Sequence, residues 1–186
     1  MSINEPTRLE QRLMVSFSWL ARPVIYRPFV ERIGLKGGEK VLDFGAGWGD
    51  VTYCLVPRLT KGGSVTVMDP SSGWQETAKR HLRKFSGLTF VESDIFGAGF
   101  ADASFDVVVI HFVLHHVPSE IRESTVREIA KKLRPGGFVY ISEPNSKKDG
   151  MPSDEITELM TKAGLISDRA RSSKRFFEGK FVKPAK

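Results

Sequence analysis

The stretch VLDFGAGWGD, Val41 to Asp50, decides how this chain reads. An apolar run from Lys40 to Phe44 enters Gly45-Ala46-Gly47-Trp48-Gly49, and Asp50 follows where it can cap a helix. Glycines permit a tight strand-to-helix turn and let a ligand come close to backbone N–H groups. Such a turn is common, so its surroundings must narrow the reading. The spacing is G-x-G-x-G, and Asp50 stands where a dinucleotide fingerprint needs glycine or alanine. No G-x-x-x-x-G-K-[ST] phosphate loop occurs anywhere. Asp43, at the strand end, would repel a pyrophosphate and attract an ammonium group.

Working outward, further strand-like runs rich in Val, Phe and Thr follow: Ser64 to Met68, Leu88 to Glu92, Phe105 to Ile110 and Phe138 to Ser142. Their near-continuous apolar character is that of parallel strands covered on both faces. Helical patterns alternate with them. One carries Trp74, Ala78, Leu82 and Phe85 and starts near Ser71 or Ser72. A second carries Val126, Ile129, Ala130 and Leu133 and stops at Pro135-Gly136-Gly137. A third carries Ile156, Leu159, Met160 and Ala163, with Ser153 as N-cap and Gly164 as its end. Leu165 to Arg171 and Arg175 to Val182 read as a closing antiparallel hairpin. The expectation is an α/β, Rossmann-like, doubly wound and mostly parallel seven-stranded sheet.

Residues 1–35 fall outside this alternation. They hold Phe17, Trp19, Tyr26 and Phe29, with Pro23 and Pro28 limiting helix length. They read as one or two short helices across the mouth of the sheet, or as an arm for dimerisation, before a main domain of residues 36–186.

Two more carboxylates stand at strand ends. Asp69, after the second strand, can accept from both ribose hydroxyls. Asp94, after the third, can take an adenine amino proton, with Ile95 and Phe96 as apolar neighbours. The acids are what lift the glycine turn above a generic one.

VLDFGAGWGD, VMDPSSGWQETAKR, ESDIFGAGFADASFDVVVIHFVLHHV and REIAKKLRPGGFVYISEP together resemble class I S-adenosylmethionine-dependent methyltransferases. The resemblance leans to the branch with the ubiquinone and menaquinone C-methyltransferases and runs from about Lys36 to the C-terminus. It implies S-adenosylmethionine as cofactor. It puts Asp43, Phe44, Gly45, Ala46 and Gly47 at the methionine end, Asp69 and Pro70 at the ribose, and Ser93, Asp94 and Ile95 at adenine. His111 would face cofactor and acceptor. Trp48 is bulky where the family often has a small or polar residue, and Ser142 to Ser153 lacks a sizeable insertion that relatives use to cover substrate.

The implied activity is methyl transfer to a small-molecule acceptor by in-line displacement; alternatively, the chain is a cofactor-binding subunit or regulatory module without independent catalysis. A nicotinamide dehydrogenase is a third reading, opposed by Asp50 and the three acids. His111, His115 and His116 are candidate catalytic residues, because a near-neutral imidazole at a strand's carboxyl end can act as base. A metal reading of the same histidines lacks a third ligand, so no metal is expected. Cys54, the sole cysteine, reads as a buried structural residue beside Val51 and Leu55.

Composition fits this picture. The chain has 186 residues, 40% hydrophobic and 27% charged, the balance of one globular domain. No apolar run spans a bilayer and no signal-peptide core opens the sequence, so the cytoplasm is the expected compartment. The net charge is +6, with basic residues gathered toward both ends, including Arg8, Arg12, Arg22, Arg27, Arg32, Lys183 and Lys186. A solvated surface is the commoner meaning of such an excess. A nucleic-acid substrate is not expected, since neither an Asn/Asp-Pro-Pro-Tyr run nor a Pro-Cys nucleophile follows the fourth strand. Peripheral membrane contact through the N-terminal segment would suit a lipid-soluble quinone acceptor. The oligomeric state is open.

Overall fold

The computed structural model describes residues 5–146 and 148–185. Residues 1–4 of the N-terminal segment and Lys186 of the basic C-terminus lie outside the described residues. The strands are β1 (Lys40–Phe44), β2 (Ser64–Met68), β3 (Leu88–Val91), β4 (Phe105–His111), β5 (Leu133–Pro144), β6 (Ile166–Ser172) and β7 (Phe176–Val182). The helices are α1 (Arg8–Ala21), α2 (Arg27–Ile33), α3 (Asp50–Leu55), α4 (Ser72–His81), α5 (Ser119–Lys132) and α6 (Ser153–Lys162). Strand order is β3-β2-β1-β4-β5-β7-β6, a seven-stranded sheet with Rossmann-like winding. β1–β2, β2–β3 and β4–β5 pair in parallel, whereas β5–β7 and β6–β7 are antiparallel. The expected fold class and closing hairpin are therefore present.

The chain divides into two compact units, one ending at Asp94 and the other beginning at Ile95. In the first, Val41, Leu42, Leu55, Val67, Met68, Ala78 and Leu82 are buried between strands and helices. Burying a side chain of this size contributes about 1.5–3 kcal/mol, so these few positions dominate its packing. In the second unit, Val107 to Ile110 on β4, Val139 to Ile141 on β5, Val126 and Ile129 of α5 and Phe181 of β7 are all buried.

Several local readings need correction. Asp50 does not cap α3; Gly49, at φ +89°, occupies that position, and the Asp50 carboxylate turns to Arg22, His81 and Trp48. Ser153 is the first residue of α6, after Pro152, and makes no side-chain cap. Pro135-Gly136-Gly137 lies within β5 rather than ending a helix, because Gly136, at φ +77°, absorbs a register shift and bonds Lys183 across to β7. β3 ends at Val91, which leaves Ser93 and Asp94 in the following loop. Cys54 is half-buried, and burial pushes its thiol up to about 11, which leaves it inert as a nucleophile. The N-terminal segment is two α-helices joined by a π-helical stretch, Arg22–Tyr26. Pro23 lacks the N–H that a regular turn needs there.

Candidate active site

The glycine loop is built by backbone strain that only glycine relieves. Gly45, Gly47 and Gly49 have φ of +68°, +54° and +89°. A Cβ on Gly49 would lie 2.7 Å from Leu82 Cδ1, so the loop rests directly on the residue that follows α4. A Cβ on Gly47 would meet nothing within 4 Å, so the loop is open at this point.

Two buried carboxylates flank the loop in sequence or bond to it, Asp43 and Asp69. Ala46 N donates to Met68 O, and Gly47 N donates to Asp69 Oδ2, both at 2.9 Å. Asp69 Oδ1 accepts from Ser71 N at 2.9 Å. Asp69 thus ties the loop after β1 to the turn before α4 and keeps spare lone pairs for a ligand. Asp43, at the end of β1, is 2% exposed and accepts from Thr52 Oγ1 of α3. Burial pushes the Asp43 carboxyl up to about 7; Thr52 opposes this and the Asp69 charge adds to it. Burial raises Asp69 in the same direction, opposed by Ser71 and Gly47 and reinforced by Glu5.

The raised Asp43 value has a stability consequence. Its folded pKa lies above the ordinary carboxyl value of 3.8, so between those values the folded state binds more protons than the unfolded one. This contribution to stability is complete below about pH 4 and is lost as pH rises through about 7, on the order of a few kcal/mol. Urea denaturation of the ligand-free protein on either side of that window should show stability falling with pH. Asp43→Asn should flatten the fall, and an unchanged slope would refute the assignment.

The N-terminal segment covers this loop through polar contacts. The Glu5 carboxylate accepts from Ser71 Oγ, Ser72 N and Gly73 N at the start of α4. Trp48 Nε1 donates to Ser18 of α1 and to Asp50, and its ring lies 5.3 Å from that of Trp74. Trp48 therefore walls the loop toward α1. Phe44 is buried at the end of β1, and Asp94 is half-buried in its loop.

In the second unit, Ile95 is buried. His111 ends β4, with its ring 4.0 Å from that of Phe112. Phe112 has φ +59°, rare for a residue with a Cβ, and stacks on Phe176 with ring centroids 5.5 Å apart. The turn beyond it, Leu114–His116, is organised by Glu143 near the end of β5. The buried Glu143 Oε1 accepts from Val113 N at 2.9 Å and Leu114 N at 2.6 Å, and Oε2 lies 2.5 Å from His115 Nδ1. A carboxylate only accepts, so Nδ1 carries the proton and Nε2 is left as the basic atom. Partial desolvation, then the adjacent His115, lower the His116 pKa. His115 and His116 border a cavity of about 590 Å³ that Arg122 and Lys148 also line. No group of three or more potential metal ligands occurs among the described residues.

Glu143 was not among the sequence candidates. The signal was there: it is a fourth strand-end carboxylate, after Asp43, Asp69 and Asp94. Glu5 and Thr52 had no comparable signal.

A protein-family model described as a methyltransferase domain matches residues 41–137, from β1 to the bulge of β5. The chain belongs to this methyltransferase domain family. Among curated relatives, a demethylmenaquinone methyltransferase of Staphylococcus aureus is 33% identical over 111 residues, which is 60% of this chain and 45% of that protein. The match thus spans less than half the length of that relative. Among solved structures, a SAM-dependent methyltransferase from Aquifex aeolicus superposes with a TM-score of 0.78 at 17% identity, covering 96% of this chain and 100% of that one. A Burkholderia thailandensis 1,6-didemethyltoxoflavin-N1-methyltransferase, solved with bound 1,6-didemethyltoxoflavin and S-adenosylhomocysteine, gives a TM-score of 0.69 at 20% identity, covering 98% of this chain and 93% of that one. At such identities the structural likeness is one of methyltransferase-domain fold.

Proposed function

We propose that this methyltransferase-domain chain binds S-adenosylmethionine at the glycine loop and transfers its methyl group to a small-molecule acceptor. The observation that carries the reading is the pair of buried carboxylates, Asp43 and Asp69, beside a loop open at Gly47. A cationic amino-acid end suits Asp43, ribose hydroxyls suit the spare lone pairs of Asp69, and neither acid suits a pyrophosphate. Ser93, Asp94 and Ile95 are the proposed adenine neighbours.

When bound, the cofactor supplies an electrophilic sulfonium methyl group. The chain's own residues contribute alignment and proton removal. His115 Nε2, freed by the Nδ1 contact with Glu143, is the proposed base for an acceptor O–H or N–H entering by the cavity beside His116. His111 and Phe112 are proposed to flank the acceptor with aromatic surface. The names of the demethylmenaquinone methyltransferase relative and of the 1,6-didemethyltoxoflavin-N1-methyltransferase neighbour both support a small-molecule acceptor.

Calorimetric titration with S-adenosylmethionine and with NAD tests the cofactor half, and only the former is expected to bind. Radiolabelled methyl transfer to a panel containing reduced naphthoquinones and hydroxylated aromatics tests the acceptor half. Cofactor binding with no transfer to any acceptor until a second protein is added would replace the enzyme reading by that of a cofactor-binding subunit.

A further inference from the structure

α1 has an outer face that nothing in this chain covers among the described residues. Its inner side is held: Ser18 and Ala21 are buried, Ser18 accepts from Trp48, and Gln11 accepts from Arg80 of α4. On the opposite side stand Leu9 (66% exposed), Leu13 (58%) and Leu20 (56%), with Phe17 (59%) beside them. Leu9, Leu13 and Leu20 recur at i, i+4 and i+11, so they form one stripe along the helix. Of the eleven large apolar side chains exposed among the described residues, eight lie between Leu9 and Ile25. Single exposed apolar residues need no explanation, but such a concentration does.

The rim of the stripe says what would cover it. Arg8 and Arg12 are exposed and share one edge with Trp19, which is 77% exposed. Glu10, the sole acid of α1, is engaged in the capping box with Thr7. A second copy of the helix, packed by two-fold symmetry, would offer these arginines no free carboxylate. Anionic headgroups would offer phosphates to the arginines, acyl chains to the leucines, and a boundary zone to Trp19. No described helix is long and apolar enough to cross a bilayer, so contact would be in the plane of the surface.

We propose that the Leu9–Leu13–Leu20 face of α1, edged by Arg8, Arg12 and Trp19, docks peripherally on an anionic phospholipid surface. This docking is independent of the proposed chemistry. The test is co-sedimentation of the whole chain with phosphatidylcholine vesicles with and without phosphatidylserine. Binding is expected only with phosphatidylserine. Leu13→Ser/Trp19→Ser should weaken it at least about tenfold. Arg8→Ala/Arg12→Ala should weaken it about twentyfold or more, at about fivefold per arginine. Circular dichroism and S-adenosylmethionine titration of each variant separate loss of docking from loss of fold or of cofactor binding. Absence of binding by the parent chain, or equal binding to neutral vesicles, would overturn the proposal. So would self-association in sedimentation velocity that Leu13→Ser/Trp19→Ser abolishes without any vesicle binding, which would assign the face to a second copy.

Discussion

Replacing Asp69 by alanine should lower affinity for S-adenosylmethionine by at least about a hundredfold. The carboxylate accepts from Gly47 N and Ser71 N, so its loss frees the glycine loop from the turn before α4. It would also remove the proposed acceptor of the ribose hydroxyls. Hydrogen bonds to a charged group contribute about 1.5–3 kcal/mol each, and two such bonds at the lower figure already give that factor. Asp69→Asn retains one acceptor oxygen and should fall between alanine and the parent. Alanine also leaves Gly47 N–H and the buried Ser71 N–H without an acceptor, at about 1–3 kcal/mol each. The ligand-free Ala variant should therefore melt lower, an effect offset in part because burial and the nearby Glu5 disfavour the Asp69 charge. Calorimetry beside thermal denaturation reads both quantities. Parent-like affinity in Asp69→Ala would remove the ribose assignment.

The two acids of the loop are legible in the sequence, and the reason is local. A carboxylate directly after a strand of buried apolar residues has few conformations available, so Asp43 and Asp69 had to point near the loop. The alternation of apolar runs and helical patterns likewise left little choice of fold, even for β6. That strand is exposed throughout and carries Asp168, Arg169 and Arg171, the charged dress of an edge strand. What could not be read depends on partners far apart in the chain. Asp50 looks like a helix cap by position, yet Arg22 and His81, 28 and 31 residues away, draw its carboxylate elsewhere. Glu143 reads as one more strand-end acid until the turn after β4 folds over it, 29 and 30 residues away in sequence. Phe112, in the left-handed region, makes that reversal, and no periodicity announces a strained phenylalanine.

Glu143→Gln should reduce turnover by about 10²- to 10⁴-fold, the usual contribution of a positioned general base, with cofactor affinity nearly unchanged. The amide oxygen of glutamine can still accept from Val113 N and Leu114 N, so the turn stays folded. The amide nitrogen would then face His115 Nδ1, and as a donor it demands a lone pair there. The proton moves to Nε2, and the imidazole presents an N–H where the acceptor needs a base. His115→Ala should cost about as much. The double variant should be no worse than either single one, because the pair acts as one unit. Glu143→Ala differs in kind: it strands two buried N–H groups, each at about 1–3 kcal/mol, and should lower the melting temperature as well. Single-turnover kinetics beside cofactor titration add a second readout, since the chemical step should slow in Glu143→Gln while cofactor affinity holds. If turnover is unchanged, or if the two losses multiply in the double variant, Glu143 holds the turn and nothing more, and the base must be sought at His116 or in the acceptor itself.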